Sequence, residues 1–327
     1  MQPQLNSTPV TRVLAPDAHA LAQAAQSLRA GRLVGMPTET VYGLAGDATR
    51  PDAVAAIYAA KGRPRFNPLI AHVADLKEAM KEADFDAAAL KLAQAFWPGP
   101  LTIVAPARAD GRVCLLARAG LASLALRAPA HPVAQALIAL MEAPLAAPSA
   151  NRSGRVSATT AAHVAADLAG RVDLVLDAGP SALGLESSIV ACLDGKARLL
   201  RLGAIPREAL EAALGRRLEE DRTVGAIAPG MAISHYAPEA RLRLGASIVR
   251  EREAALDFGA RLSGAAHGRL DLSPNGDLVE AAANLYAHLR ALDAPGVAAI
   301  AVAPIPEHGL GAAINDRLRR AAAPRPA

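Results

Sequence analysis

The sequence predicts an α/β protein built from a larger mixed-sheet domain, a linker and a smaller second α/β domain. Three observations lead there. The chain has 327 residues, more than the roughly 100–200 that one core commonly organises. Short apolar runs alternate with amphipathic helical stretches, first up to Gly215 and again from Arg241 onward. Between them, RRLEEDRTVGAIAPGMAISHYAPEA (216–240) loses this periodicity and gains glycine and proline. The expected units are therefore residues 1–215, a linker over 216–240, and residues 241–327.

Asp17 can cap a helix carrying Leu21, Ala24, Ala25 and Leu28 on one face, with Gly31 ending it. RLVGM (32–36) reads as a buried strand that delivers PTETVYGL (37–44). Pro51 suits a first helical position, and Val54, Ile57 and Tyr58 continue that helix to Gly62. KGRPRFNPLIAH (61–72) is then a helix end, a rigid turn and a strand. DAAALKLAQAF (86–96) is helical, WPGP breaks the chain, and LTIVA and SLALR (123–127) are strands. APAHP is a turn, VAQALIALM (133–141) a helix, and SANRSGRVSATT (149–160) a polar loop feeding the helix AAHVAADLA. DLVLD, SSIVACL (187–193) and ARLLRL (197–202) are strands, the last two joined through an Asp194-Gly195 hairpin turn. In the last unit, Asp277 and Glu280 have capping-box spacing ahead of the stripe Leu278, Ala282, Leu285, Leu289 and Leu292. VAAIAVAPI (297–305) is a buried strand and INDRLRRAAA a closing helix.

Composition limits what such a protein can do. It is 52% hydrophobic and 20% charged, enough for a sizeable core. Aromatic content is 3%, which weakens a reading that relies on stacking platforms for single-stranded nucleic acid. A net charge of +4 accommodates anionic substrates without a basic tract that demands nucleic acid. Cys114 and Cys192 stand far apart, so neither a disulfide framework nor a cysteine zinc site is expected, and a reducing cytoplasm is the simplest compartment. No apolar run is long enough to span a bilayer, and the N-terminus lacks a signal-peptide pattern.

No P-loop, G-x-G-x-x-G, H-E-x-x-H or G-x-S-x-G run occurs, and the eight histidines lack ligand spacing, so no dedicated metal site is expected. Instead, polar groups gather where strands meet turns. PTETVYGL offers Thr38, Thr40 and Tyr42, although threonines there often serve only as turn or cap hydroxyls. Lys61, Arg63 and Asn67 sit in a stretch stiffened by Gly62, Pro64 and Pro68, which suits phosphate or carboxylate recognition. Arg127 ends a strand before Pro129, a place where many arginines are simply on the surface. Ser149 and Asn151 precede a helix, where hydroxyls and backbone N–H groups either cradle an anion or only make the entry turn. Ser187 and Arg201 fall near the ends of the last two strands, where open α/β sheets bind ligands. Together these groups describe a site for something with phosphates.

These residues resemble the YrdC-like family. The match lies in PTETVYGL, the K-x-R of Lys61 and Arg63 with NPLIAH behind it, WPGPLT, the S-x-N of Ser149 and Asn151, and LLRLG. PGMAISHYAPEA and SPNGDLVEAAANLYAHLR resemble the linker and small C-terminal domain of its two-domain members, the threonylcarbamoyl-adenylate synthases. The resemblance implies a twisted mixed-sheet domain followed by a linker and a Rossmann-like C-terminal domain. It also implies synthesis of threonylcarbamoyl-AMP and pyrophosphate from L-threonine, bicarbonate and ATP with Mg²⁺, for tRNA modification beside the anticodon. Thr40, His72, Arg127 and Ser187 would bind threonine. Arg63, Asn67, Ser123, Ala147 (through its backbone), Ser149, Ser157, Arg201, His235 and Tyr236 would contact the nucleotide. Lys61, Arg63, Ser149 and Asn151 form the signature taken as catalytic, and the linker is expected to act as a lid. Downstream proteins that transfer the threonylcarbamoyl group to tRNA, and a weak contact with tRNA itself, are further expectations. One position departs from the family pattern: SLALR replaces a threonine followed by β-branched residues, with Ser123 keeping the hydroxyl. Two rivals are weighed. A double-stranded-RNA-binding module would need a denser basic stripe. A carbamoyl-adenylate-forming carbamoyltransferase would carry Cys-rich zinc motifs that two isolated cysteines cannot supply.

Overall fold

Local signals decide most element boundaries in the computed structural model, which describes residues 11–220 and 235–324. The first domain runs β1 (Arg12–Leu14), α1 (Ala18–Arg29), β2 (Val34–Met36), β3 (Gly43–Asp47), α2 (Pro51–Lys61) and β4 (Ile70–His72). There follow α3 (Leu76–Ala79), α4 (Ala87–Phe96), β5 (Leu101–Pro106), β6 (Ser123–Arg127), α5 (Pro132–Met141) and β7 (Leu145–Ala146). The domain closes with α6 (Ala161–Leu168), β8 (Leu174–Leu176), β9 (Ser188–Leu193), β10 (Lys196–Arg201), α7 (Arg207–Leu214) and β11 (Glu219–Glu220). Asp17 caps α1 by accepting from the Ala20 N–H, and Asp86 caps α4 by accepting from the Ala89 N–H. Pro51 opens α2, and Gly62 closes it at φ 61°, a left-handed conformation that glycine adopts without steric cost. Asp194 and Gly195, at φ 55° and 70°, make the turn between the antiparallel β9 and β10.

The described strands of this domain form one mixed sheet in the order β1-β8-β2-β3-β7-β4-β6-β5-β9-β10-β11. The expected strand over 32–36 shortens to β2. What the sequence did not announce is β3, whose GLAGD run carries little β propensity. Burial decides it. All five residues are buried, and a Cβ on Gly46 would lie 3.0 Å from Ile57 and 3.1 Å from Leu33. The small residues let α2 sit close on the sheet while β3 pairs antiparallel with β2.

The second domain comprises β12 (Arg241–Arg243), β13 (Glu253–Asp257), β14 (Arg269–Asp271), α8 (Leu278–Leu292), β15 (Ala299–Val302) and α9 (Leu310–Ala322). Its strands pair in parallel in the order β12-β15-β13-β14. The anticipated capping box at α8 is modified. Asp277 does cap by accepting from the Val279 and Glu280 N–H groups. Its own N–H, however, goes to Ser273 Oγ (2.9 Å), and that hydroxyl donates to Glu280 (2.5 Å). A serine thus stands inside the box, a contact visible only after the chain turns back on itself. Most of the expected linker, 221–234, lies outside the described residues. Gly184 marks where the domains touch: at φ 64°, its Cβ would come within 2.5 Å of the Ala282 and Ala283 carbonyl oxygens of α8.

Candidate active site

The strand ends gather the polar residues. Parallel pairing of β4 with β6 sets His72 beside Arg127, both last in their strands. Ser187 immediately precedes β9, and Arg201 ends β10 next to it. The turn 37–42 after β2 brings Thr38 and Thr40 to the same place. A cleft of about 540 Å³, counting its open mouth, is lined there by Thr40, Arg63, His72, Arg127, Ala147, Ser149, Ser187, Arg201, His235 and Tyr236.

The hydroxyls and cations hold one another in place. Thr38 gives its proton to the Val41 carbonyl (2.6 Å), so at 2.8 Å it must accept from Thr40. Thr40 in turn accepts from Arg127 Nη1 (2.8 Å). Arg127 also donates to Glu39 (2.6 Å) and to the Gly99 carbonyl (3.2 Å), which engages three of its five N–H groups and aims the guanidinium. Burial of Glu39 works against its charge, yet Arg127 prevails and holds the carboxyl below its ordinary range. Arg201 donates to the Ser187 carbonyl (2.8 Å) and hydroxyl (3.1 Å), and that hydroxyl also bonds Thr102 (2.7 Å). Arg63 donates to the Asn67 and Pro68 carbonyls at 3.3 and 3.1 Å, which holds its guanidinium against the turn. Burial brings Arg63 down to about 10. Three guanidiniums face a cleft whose lining, among the described residues, contains one carboxylate, Glu186. Despite its burial, Arg317 and Arg201 hold Glu186 at about 2. Such an arrangement suits anion recognition.

Five expected residues lie outside the cleft lining. Lys61 is buried and donates to the Ser149 and Asn151 carbonyls, bracing the S-x-N loop from beneath. Desolvation, with Arg63 nearby, lowers its basicity well below that of an ordinary lysine. Asn151 is turned inward, donating to the Arg152 and Arg155 carbonyls at 2.8 Å. These two members of the catalytic signature shape the loop, and Arg63 and Ser149 face the cleft. Ser123 starts β6, four residues and about 13 Å of strand from Arg127. Asn67 has a buried Oδ1 without a protein partner at the turn held by Arg63. Ser157 donates to Glu186 (2.6 Å) and reaches the cleft only through it. Ala147 lines the cleft, but its N–H is taken by the Ile70 carbonyl (3.1 Å).

His235 and Tyr236 form one wall. Their rings meet edge to face at 4.0 Å, and Tyr236 takes φ 63°, a left-handed conformation costly for a tyrosine. Tyr286 stacks on it at 5.7 Å and the Arg317 guanidinium lies 5.1 Å from its ring centre.

Burial lowers the His72 and His235 imidazoles from their usual 6.5 to about 3. The unfolded chain takes up these protons below about pH 6.5 and the folded chain only near 3. The associated stability is therefore present above pH 6.5 and is lost as pH falls toward 3, by up to about 1.4 kcal/mol per pH unit per imidazole. The melting temperature should fall steadily between pH 7 and pH 5, and less steeply for His72→Asn. Equal slopes in the two proteins would contradict this.

A sequence profile described as telomere recombination (Sua5_yciO_yrdC) matches residues 26–203. A second, described as threonylcarbamoyl-AMP synthase, C-terminal domain (Sua5_C), matches residues 205–323. The threonylcarbamoyl-AMP synthase of Bacillus subtilis is 39% identical, with 97% of this chain and 96% of that protein covered. That of Pyrococcus abyssi is 39% identical over 91% of this chain and 92% of its own length. The crystal structure of P. abyssi Sua5 complexed with L-threonine superposes with a TM-score of 0.86 at 36% identity, covering 96% and 97% of the two chains. The chain belongs to the threonylcarbamoyl-AMP synthase family. In this synthase-family chain no helix among the described residues is long and apolar enough to cross a membrane.

Two carboxylates of the site, Glu39 and Glu186, escaped the sequence reading. Glu39 stands inside PTETVYGL, a motif already singled out, and Glu186 directly precedes Ser187. The available signal was a charge inside a segment otherwise destined for burial, which demands a partner. The partner of Glu186 lies 131 positions away, at Arg317.

Proposed function

We propose that the chain joins L-threonine, bicarbonate and ATP into threonylcarbamoyl-AMP with release of pyrophosphate. One observation carries this reading: Arg63, Arg127 and Arg201 converge on one cleft with Thr40, His72, Ser149 and Ser187. Family membership supplies the reaction. The threonine amine condenses with bicarbonate, releasing water, and a carbamate oxygen then attacks the α-phosphorus. The bond from that phosphorus to the β-phosphate bridging oxygen breaks, and pyrophosphate leaves. Three anions must be held together, so the protein's task is positioning and charge neutralisation.

Arg127 keeps two N–H groups for the threonine carboxylate while Glu39 and Thr40 fix its plane. His72, uncharged at neutral pH, and the Ser187 hydroxyl flank it without adding charge. Arg63, with Arg201 behind Ser187, faces the phosphates. Mg²⁺ arrives as part of the nucleotide substrate, its ligands being chiefly phosphate oxygens and water. The donor set fits that division, since Glu39 and Glu186 are both engaged by guanidiniums. The product would pass to proteins that transfer the threonylcarbamoyl group to tRNA.

The test is pyrophosphate release from ATP, with and without bicarbonate and L-threonine, with serine and valine as substitutes. Release should require both co-substrates and fall with either substitute. Release indifferent to threonine in the folded protein would sink the reading.

A further inference from the structure

Among the described residues, none that lines the cleft comes from the second domain, yet that domain grips the cleft from behind. Glu186 is the joint. One carboxylate oxygen accepts from Ser157 Oγ (2.6 Å), and the other accepts from Tyr286 Oη (2.8 Å) and Arg317 Nε (2.9 Å). Tyr286 comes from α8 and Arg317 from α9. Arg317 also donates to the Leu202 carbonyl (2.7 Å), next to Arg201. Arg290 of α8 donates to the Val156 and Ser157 carbonyls and is fixed by Asp167 of α6 (2.7 Å).

We infer that the C-terminal domain positions the nucleotide half of the site, acting through Glu186 on Ser157 and through Tyr286 and Arg317 on Tyr236. The inference deepens the proposed function and rests on it. Three nucleotide candidates, Ser157, Arg201 and Tyr236, meet this buried node directly or through the neighbouring residue. Three of the four threonine candidates do not depend on it, and the fourth, Ser187, sits next to Glu186 and is held by Arg201. Thr40 and Arg127 hold each other inside the first domain, and His72 stands beside Arg127 in the sheet. Energetics favour a positioning role. A fully buried ion pair gives little net stability over apolar residues of the same shape, because desolvating two charges cancels most of their attraction. What the node supplies is geometry: every donor is directional and every partner is fixed by packing. Gly184 lets α8 approach this loop closely enough for the contacts to form. Glu186, Tyr286 and Arg317 are thus positioning residues.

The test uses the full chain and the variants Tyr286→Phe, Ser157→Ala and their combination. Tyr286→Phe keeps the ring that stacks on Tyr236 and removes only the hydroxyl given to Glu186. Dissociation constants for α,β-methylene-ATP and for L-threonine are measured by calorimetry, beside melting temperatures. Each single variant should weaken nucleotide binding about tenfold to a hundredfold, the worth of one hydrogen bond to a charged group. Threonine binding should change much less, within about twofold, because Thr40, His72 and Arg127 lie outside the node and Ser187 keeps its own bond to Thr102. The combined variant should be no weaker than the worse single one, since both substitutions break one relay. Losses that multiply, or threonine and nucleotide affinity falling together with melting temperature, would overturn the inference. Unchanged nucleotide affinity in Tyr286→Phe would do so too. Wild-type protein that binds the analogue but releases no pyrophosphate with threonine would fail the proposed function, while the nucleotide affinities still decide this inference.

Discussion

Arg63→Ala should lower threonine-dependent pyrophosphate release by roughly 100-fold or more, the usual loss when one preorganised charge is removed from a transferring phosphoryl group. The fold should survive. Arg63 is almost wholly buried, but among the described residues no carboxylate pairs with it, and its bonds go to two turn carbonyls. One of these, that of Asn67, keeps the Tyr58 hydroxyl at 3.0 Å. The Pro68 carbonyl loses its donor, at a cost of about 1–2 kcal/mol, offset in part because a cation no longer has to be desolvated. Nucleotide affinity should fall and threonine affinity should hold. Steady-state kinetics with calorimetry for each ligand checks this, and normal turnover in a folded Arg63→Ala protein would remove Arg63 from the phosphate site.

Arg127→Met should behave in the opposite way, damaging both folding and threonine binding. Arg127 and Glu39 are a buried pair, and removing the cation leaves Glu39 charged, desolvated and without its donor. Breaking such a pair costs about 3–5 kcal/mol. Thr40 loses its donor as well. The double variant Arg127→Met, Glu39→Gln should recover part of the stability, because no uncompensated charge remains, and none of the threonine affinity. Denaturant titration with threonine calorimetry separates the two effects. A single variant with wild-type threonine affinity would show that the carboxylate of the substrate is held elsewhere.

These two arginines show how differently sequence and structure inform on one site. Arg63 was legible because its restraint is local. Proline and glycine stiffen the few residues around it, and their meaning does not depend on the rest of the chain. The same holds for the caps at Asp17 and Asp86, the Gly62 stop and the Asp194-Gly195 turn, all set by short-range sterics and hydrogen bonds. Arg127 was legible as a strand-end cation, but not as one arm of a pair. Glu39 is 88 positions away, and only the parallel register of β4 and β6 brings the strand ends to the turn after β2. Lys61 and Asn151 illustrate the reverse case. Their motif spacing resembled chemistry, and the folded chain adds what the spacing could not show, that both side chains donate to backbone carbonyls.

By itself, then, the sequence determined the class of fold, the positions of most helices and strands, and the set of short motifs that carry charge and hydroxyls to strand ends. Those properties come from periodicity, capping and turn chemistry, each acting within a few residues. Only the tertiary structure decided that GLAGD is a strand, that three arginines share one cleft, and that Glu186 ties Ser157 to Tyr286 and Arg317 across the domain boundary. The physical reason is desolvation. A buried charge or a buried small-residue strand is stable only with particular partners, and those partners come from distant parts of the chain once the sheet has closed.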